Sequence, residues 1–181
     1  MSENAKLRNE AVVAKHAKAY GNAVISDHAK VYGHDTHVYG NTHIYDHASI
    51  SGNMWFRDKG WIYGKCVVSD NAKVCGQVCD NAVVCGKAFI TIEAKIYDNA
   101  KVLHSAYVNG SVYGNAKVSG SAYVSEGAHI FENARVYGKA LIEKNIKIYG
   151  NAKIFGNAYV RNEVSDDVII NSCEKIVEKV A

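Results

Sequence analysis

The chain has 181 residues, 48% hydrophobic and 10% aromatic, a composition that allows a core and argues against wholesale disorder. It has no Pro, and its only Leu are Leu7, Leu103 and Leu141, which argues against a helical bundle built on Leu-rich stripes. A net charge of +3, from 21 basic and 18 acidic residues, compels neither nucleic-acid nor membrane binding, and no apolar run is long enough to span a bilayer.

In chain order, one unit of six residues recurs almost from end to end: Asn-Ala-Lys-Val-Tyr-Gly and its variants, as in Ala29-Lys30-Val31-Tyr32-Gly33 and Ala152-Lys153-Ile154-Phe155-Gly156. Its aliphatic position runs from Leu7, Val13, Ala19, Ile25 and Val31 through Ile90, Ile96 and Val102 to Ile148, Ile154 and Val160. A small residue, usually Ala, sits two positions earlier. Alternation of period two predicts a short strand with the aliphatic residue and the Ala inside. The Gly or Asp two residues later, with the Asn or Ser after it, predicts a corner, because these residues tolerate a left-handed backbone. One strand buries nothing alone; stacking equivalent hexads closes a common core.

Two spacings shrink from six to four, Val74 to Val78 and Val108 to Val112, and one residue is inserted between Val31 and Val38. With three strands per coil, both shortenings fall at the same corner, two coils apart. After Val160 the pattern decays. Residues 1–164 are expected to form the solenoid and 165–181 a short capping helix, with Asp166 or Asn171 as its N-cap.

These hexads resemble the hexapeptide-repeat family, the left-handed parallel β-helices of trimeric acyltransferases, and are similar in texture to uncharacterised acetyltransferase-like proteins of bacteria and their phages. The resemblance covers roughly residues 5–164. It implies an all-β, single-stranded left-handed parallel β-helix of roughly nine triangular coils. It also implies an acyltransferase with acetyl-CoA as cofactor and a His acting as general base toward the acceptor. There is no room for the inserted loop many such enzymes carry. His43 and His129 are the best choices for that base, because both immediately precede a first-face aliphatic residue.

Outward positions stack into columns. The residue after the first-face aliphatic position reads Ser26, Tyr45, Tyr63, Cys79, Tyr97, Tyr113, Phe131, Tyr149, and the corner beyond it carries Asn81, Asn99, Asn115, Asn133 and Asn151. Around that corner come Lys101, Lys117, Arg135 and Lys153. The third face carries Trp55, Phe89, Tyr107, Tyr123, Leu141 and Tyr159. Two readings of these ladders stay open: mutual stabilisation of neighbouring rungs, or a docking face. A nucleic-acid strand along the basic column is disfavoured by Asp98 and Glu132 in the same corner.

His28 and His47 fall at one corner in successive coils and are weak candidates for a metal site; polar corner residues explain them as well. The ligand spacing of the zinc-dependent carbonic anhydrases that share this fold is not found. Cys75, Cys79 and Cys85 are expected to point outward on three different faces, Cys66 to lie inward, and Cys173 to fall in the terminal helix. Five Cys and no apolar N-terminal signal region fit free thiols and a cytoplasmic protein. The regular repeat and absence of loops favour a non-catalytic scaffold, without cofactor, that binds itself as a dimer or trimer or binds another protein, possible partners including a host protein if the phage-like texture is meaningful. The alternative is the acyltransferase.

Overall fold

The computed structural model describes residues 4–33, 36–52 and 60–171 and the backbone of 55–56. Among them the chain winds as a parallel β-solenoid of about nine turns, each turn laying one short strand on each of three sheets. The first face runs from Lys6–Leu7 to Lys147–Ile148, the second from Val12–Ala14 to Ile169–Ile170, and the third from Lys18–Ala19 to Tyr159–Val160. The aliphatic register holds: Ile96 lies beside Val112 and Val112 beside Ile130 on the first face, while Val102, Val118 and Val136 are neighbours on the second.

Ile25, Ile62, Ile96, Ile130 and Ile154 are fully buried, as are Ala82, Ala100 and Ala116. The small residue two positions before each aliphatic one leaves room for the chain to close on itself. Two inward positions hold Thr instead, and neither hydroxyl is wasted. Thr36 Oγ1 donates to Gly52 O at 2.6 Å and Thr42 Oγ1 to Tyr39 O at 2.8 Å, so their burial leaves no orphaned polar atom. Leu7, although inward in register, is 40% exposed, because no coil precedes it in the described stack.

The solenoid continues past the expected boundary at residue 164. Tyr149 N donates to Val164 O at 3.0 Å, Phe155 N donates to Ile170 O at 2.8 Å, and Ile169–Ile170 pairs with Lys153–Ile154. Asp166, expected as a possible helix cap, is a corner residue with φ 57°, and Asp167 accepts from Asn151 Nδ2 at 3.1 Å. The carboxamide or carboxylate side chains that suit a helix cap suit a left-handed corner for related reasons. Of the helix expected over 165–181, the first part is this corner and the strand Ile169–Ile170, and residues 172–181, with Cys173, lie outside the described residues, as does His34.

Candidate functional site

Three corners and three flat faces distribute the functional candidates. The first corner, between the first and second faces, is held by side chains that bridge coils. Asp27, Asp46, Asp80, Asp98 and Glu132 all sit there at φ between 55° and 61°. Their carboxylates accept from backbone N–H groups one coil on, for example Asp98 Oδ2 from Gly114 N at 3.0 Å and Glu132 Oε2 from Gly150 N at 2.8 Å. A hydrogen bond from Asn9, with another from Asp46 N, holds the Asp27 carboxyl below the usual range. Beside them Asn81, Asn99, Asn115, Asn133 and Asn151 form an amide ladder with spacings of 3.2 to 3.3 Å.

The predicted aromatic ladder stands on the same corner. Tyr45 and Tyr63 stack at 4.9 Å, and Tyr97, Tyr113, Phe131 and Tyr149 stack successively at 4.8, 4.9 and 5.0 Å. These rings are half-buried. Burial raises the phenols of Tyr45, Tyr97 and Tyr113, with neighbouring charge second. Such rings meet one another more than they meet solvent, which supports rung stabilisation as the role of this column.

Cys79 interrupts that ladder and is buried, as is Cys75. Their positions are outward in register, but a thiol is far smaller than a ring and sinks among larger neighbours. Tyr63 touches Cys79, and this hydrogen bond, with burial second, pushes the Tyr63 phenol up to about 12 while Gln77 Nε2 donates to it at 2.6 Å. Cys66 is fully buried at its expected inward place, and Cys66, Cys75, Cys79 and Cys85 are free thiols.

The third face presents a different surface. Phe89 and Tyr107 stack at 5.2 Å and Tyr107 and Tyr123 at 4.6 Å; Tyr123, Leu141 and Tyr159 are 40%, 37% and 37% exposed. Being in mid-face, these side chains stand off a flat sheet instead of folding into a corner. Lys73 lies between Trp55 and Phe89 in register, so the continuous strip runs from Phe89 to Tyr159; the Trp55 side chain lies outside the described residues. The Arg161 guanidinium caps the last ring, 4.5 Å from the Tyr159 centroid.

The basic column occupies the middle of the second face. Lys101, Lys117, Arg135 and Lys153 are direct cross-strand neighbours and are exposed. The ion pairs among the described residues are His28 with Glu10, Lys144 with Glu126 and Arg161 with Glu143, and none involves this column. Sequence reasoning missed the column beside it, at the second corner: Leu103, Ser119, Tyr137 and Phe155. The signal was present, since these are the residues after Val102, Val118, Val136 and Ile154.

His28 and His47 do stack, at 4.8 Å and 4°, with His28 Nδ1 3.0 Å from Glu10 Oε2. Parallel rings aim their in-plane lone pairs in parallel, so the two do not converge on one ion at about 2.0 Å from each. No group of three metal-ligating side chains occurs among the described residues. His43 stacks on Trp61 at 5.1 Å and His129 lies edge-on to Tyr113 at 6.1 Å. The two are five strand spacings apart in one sheet, roughly 24 Å, so they do not share a site within the chain. No helix among the described residues is long and apolar enough to cross a membrane.

No family model, curated protein or solved structure matches the chain. The likeness to hexapeptide-repeat acyltransferases therefore rests on the repeat register alone.

Proposed function

We propose that the chain is a left-handed hexapeptide-repeat solenoid that serves as a non-catalytic protein-binding scaffold and associates with a second copy of itself through the third face. The observation that carries this reading is the continuous strip Phe89, Tyr107, Tyr123, Leu141 and Tyr159, apolar in character and lifted off a flat sheet. Contiguous apolar surface of this kind on a soluble protein marks interaction sites. Its features recur at the rung spacing of about 4.8 Å, and a surface with that period is matched at every rung by another face of the same solenoid.

Light scattering of the chromatographed protein is expected to give a multiple of the 19.8 kDa chain mass. Tyr123→Glu with Leu141→Glu places two carboxylates side by side in the strip. Association is expected to weaken roughly hundredfold, from two large apolar side chains lost from the interface, while the far-UV spectrum stays unchanged because both point away from the core. A wild-type protein that stays monomeric at every concentration overturns self-association. Turnover of acetyl-CoA that is lost on replacing His43 or His129 supports the acyltransferase instead.

A further inference from the structure

The third-face strip has margins of opposite charge. Where the face begins, along the second corner, the rungs from Phe89 to Tyr159 carry Lys87, His104 and Lys139 and no acid. Where it ends, along the third corner, the same rungs carry Glu93, Glu126, Glu143 and Glu163 against Lys144 and Arg161. Both cations of the acidic margin are engaged within their own chain. Lys144 Nζ donates to Glu126 Oε2 at 2.9 Å, and Arg161 Nε lies 3.4 Å from Glu143 Oε1. Glu163 turns toward Tyr149 on the first face. Lys87, Lys139 and Glu93 are exposed, and no ion pair among the described residues involves them.

Asp70 stands on the basic margin one coil before Lys87, beyond the strip, and its Oδ2 accepts from Gly86 N at 3.0 Å. The corners do not require the three free charges. Ser105, Ser121 and Asn157 hold the place of Lys87 and Lys139 in other coils, and Asn145 holds that of Glu93. A polar rim of one sign on each side of an apolar strip sets orientation, because charge complementarity selects partner and register.

Two copies can lay this face together about a twofold axis across the solenoid or along it. An axis across it turns one copy end for end and sets each margin against its own like, basic on basic and acidic on acidic. An axis along it sets the basic margin of each copy against the acidic margin of the other, rung for rung. Given association through the third face, on which this rests, we infer that the second copy binds parallel to the first and in register. Lys87 of each chain then lies beside Glu93 of the other, and Lys139 beside Glu143. Mid-face residues meet their own counterparts, from Phe89 on Phe89 to Tyr159 on Tyr159. The same axis sets Lys73 on Lys73 and Lys18 on Lys18, so repulsion confines the contact to the rungs from Phe89 onward.

Sedimentation equilibrium of the full chain in about 0.05 M salt tests the pairing, since rim charges act most strongly there. Lys87→Glu is expected to weaken dimerisation about tenfold, because it sets like charges together at two places in one dimer, and Glu93→Lys should do the same. The chain carrying both changes should return to within about threefold of wild type, since its margins again differ in sign. Both residues are exposed on corners, so the far-UV spectra should match. A wild type that stays monomeric, or a dimer that tolerates Tyr123→Glu with Leu141→Glu, removes association through the third face and the parallel pairing with it. A wild-type dimer that Lys87→Glu leaves unchanged, a double change that weakens it further, or a mass of three chains overturns the parallel pairing and leaves the third face as the interface.

Discussion

Replacing Gly110 or Gly76 by Ala is expected to be among the most damaging single-methyl changes in the protein. These glycines mark the two four-residue steps, and the added Cβ has nowhere to go. At Gly110 it would sit 2.2 Å from Ala128 O and 2.9 Å from Ser125 O; at Gly76, 2.3 Å from Thr91 O and 2.5 Å from Ala94 O. The obstacle is backbone of the following coil, which has a full corner there while the short coil has none. Left-handed geometry is not the cause, since neither residue has a positive φ. Overpacking against backbone costs on the order of 3 kcal/mol, which for a chain of this length lowers the melting temperature by about 6–12 °C. Gly60 is an internal control. It too takes the inward small-residue place, but among the described residues its Cβ would meet nothing nearer than Thr42 Cγ2 at 3.6 Å. Gly60→Ala is expected to be neutral or stabilising by up to about 1 kcal/mol. Thermal unfolding that ranks Gly110→Ala beside Gly60→Ala would contradict the tight-corner account.

Those two steps show why so much of the fold was legible. A strand of period two followed by a corner is a local pattern, so the aliphatic position and its partnering Ala declare inside and outside one hexad at a time. The sheet partners followed from counting three hexads per coil, with the shortenings as a check on the count. What the pattern did not carry was the size of neighbours one coil away. Cys79 occupies an outward place, yet it is buried because Tyr63 beside it is much larger. The two aromatic columns look alike in sequence and differ in exposure only at Tyr123, Leu141 and Tyr159, which stand in mid-face, while Phe89 and Tyr107 are half-buried like the corner rings. Lys73 breaks the third-face column between Trp55 and Phe89, a gap that only the sheet register shows. The end of the solenoid was misplaced because Asn162, Glu163 and Asp167 obscure the spacing from Val164 to Ile170, which is still six.

Cys66 is expected to be an exceptionally unreactive thiol and a source of alkaline instability. It fills an inward Ala position with no solvent exposure, and Sγ donates to Val78 O at 3.7 Å. Burial, with the charge of a Cys79 thiolate second, pushes its thiol from 9.0 up to about 12. At any pH below 9 its thiolate population is then about a thousandfold smaller than that of an ordinary thiol, and alkylation slows by at least that factor. The same shift sets a sign for stability. Below pH 9 the thiol is protonated in both folded and unfolded chains and the contribution is complete. Between pH 9 and about 12 the unfolded chain releases the proton while the folded chain holds it, so stability falls as pH rises. The slope is on the order of 1.4 kcal/mol per pH unit within that window. Cys66→Ala restores the residue most hexads use and removes the ionising group, leaving Tyr63 and the lysines to titrate as before. Urea unfolding of both proteins at pH 8 and pH 10.5 should show the wild type losing more stability than the variant. Equal losses, or rapid labelling of Cys66 in the native protein, would show that this thiol ionises freely and that the core opens around it.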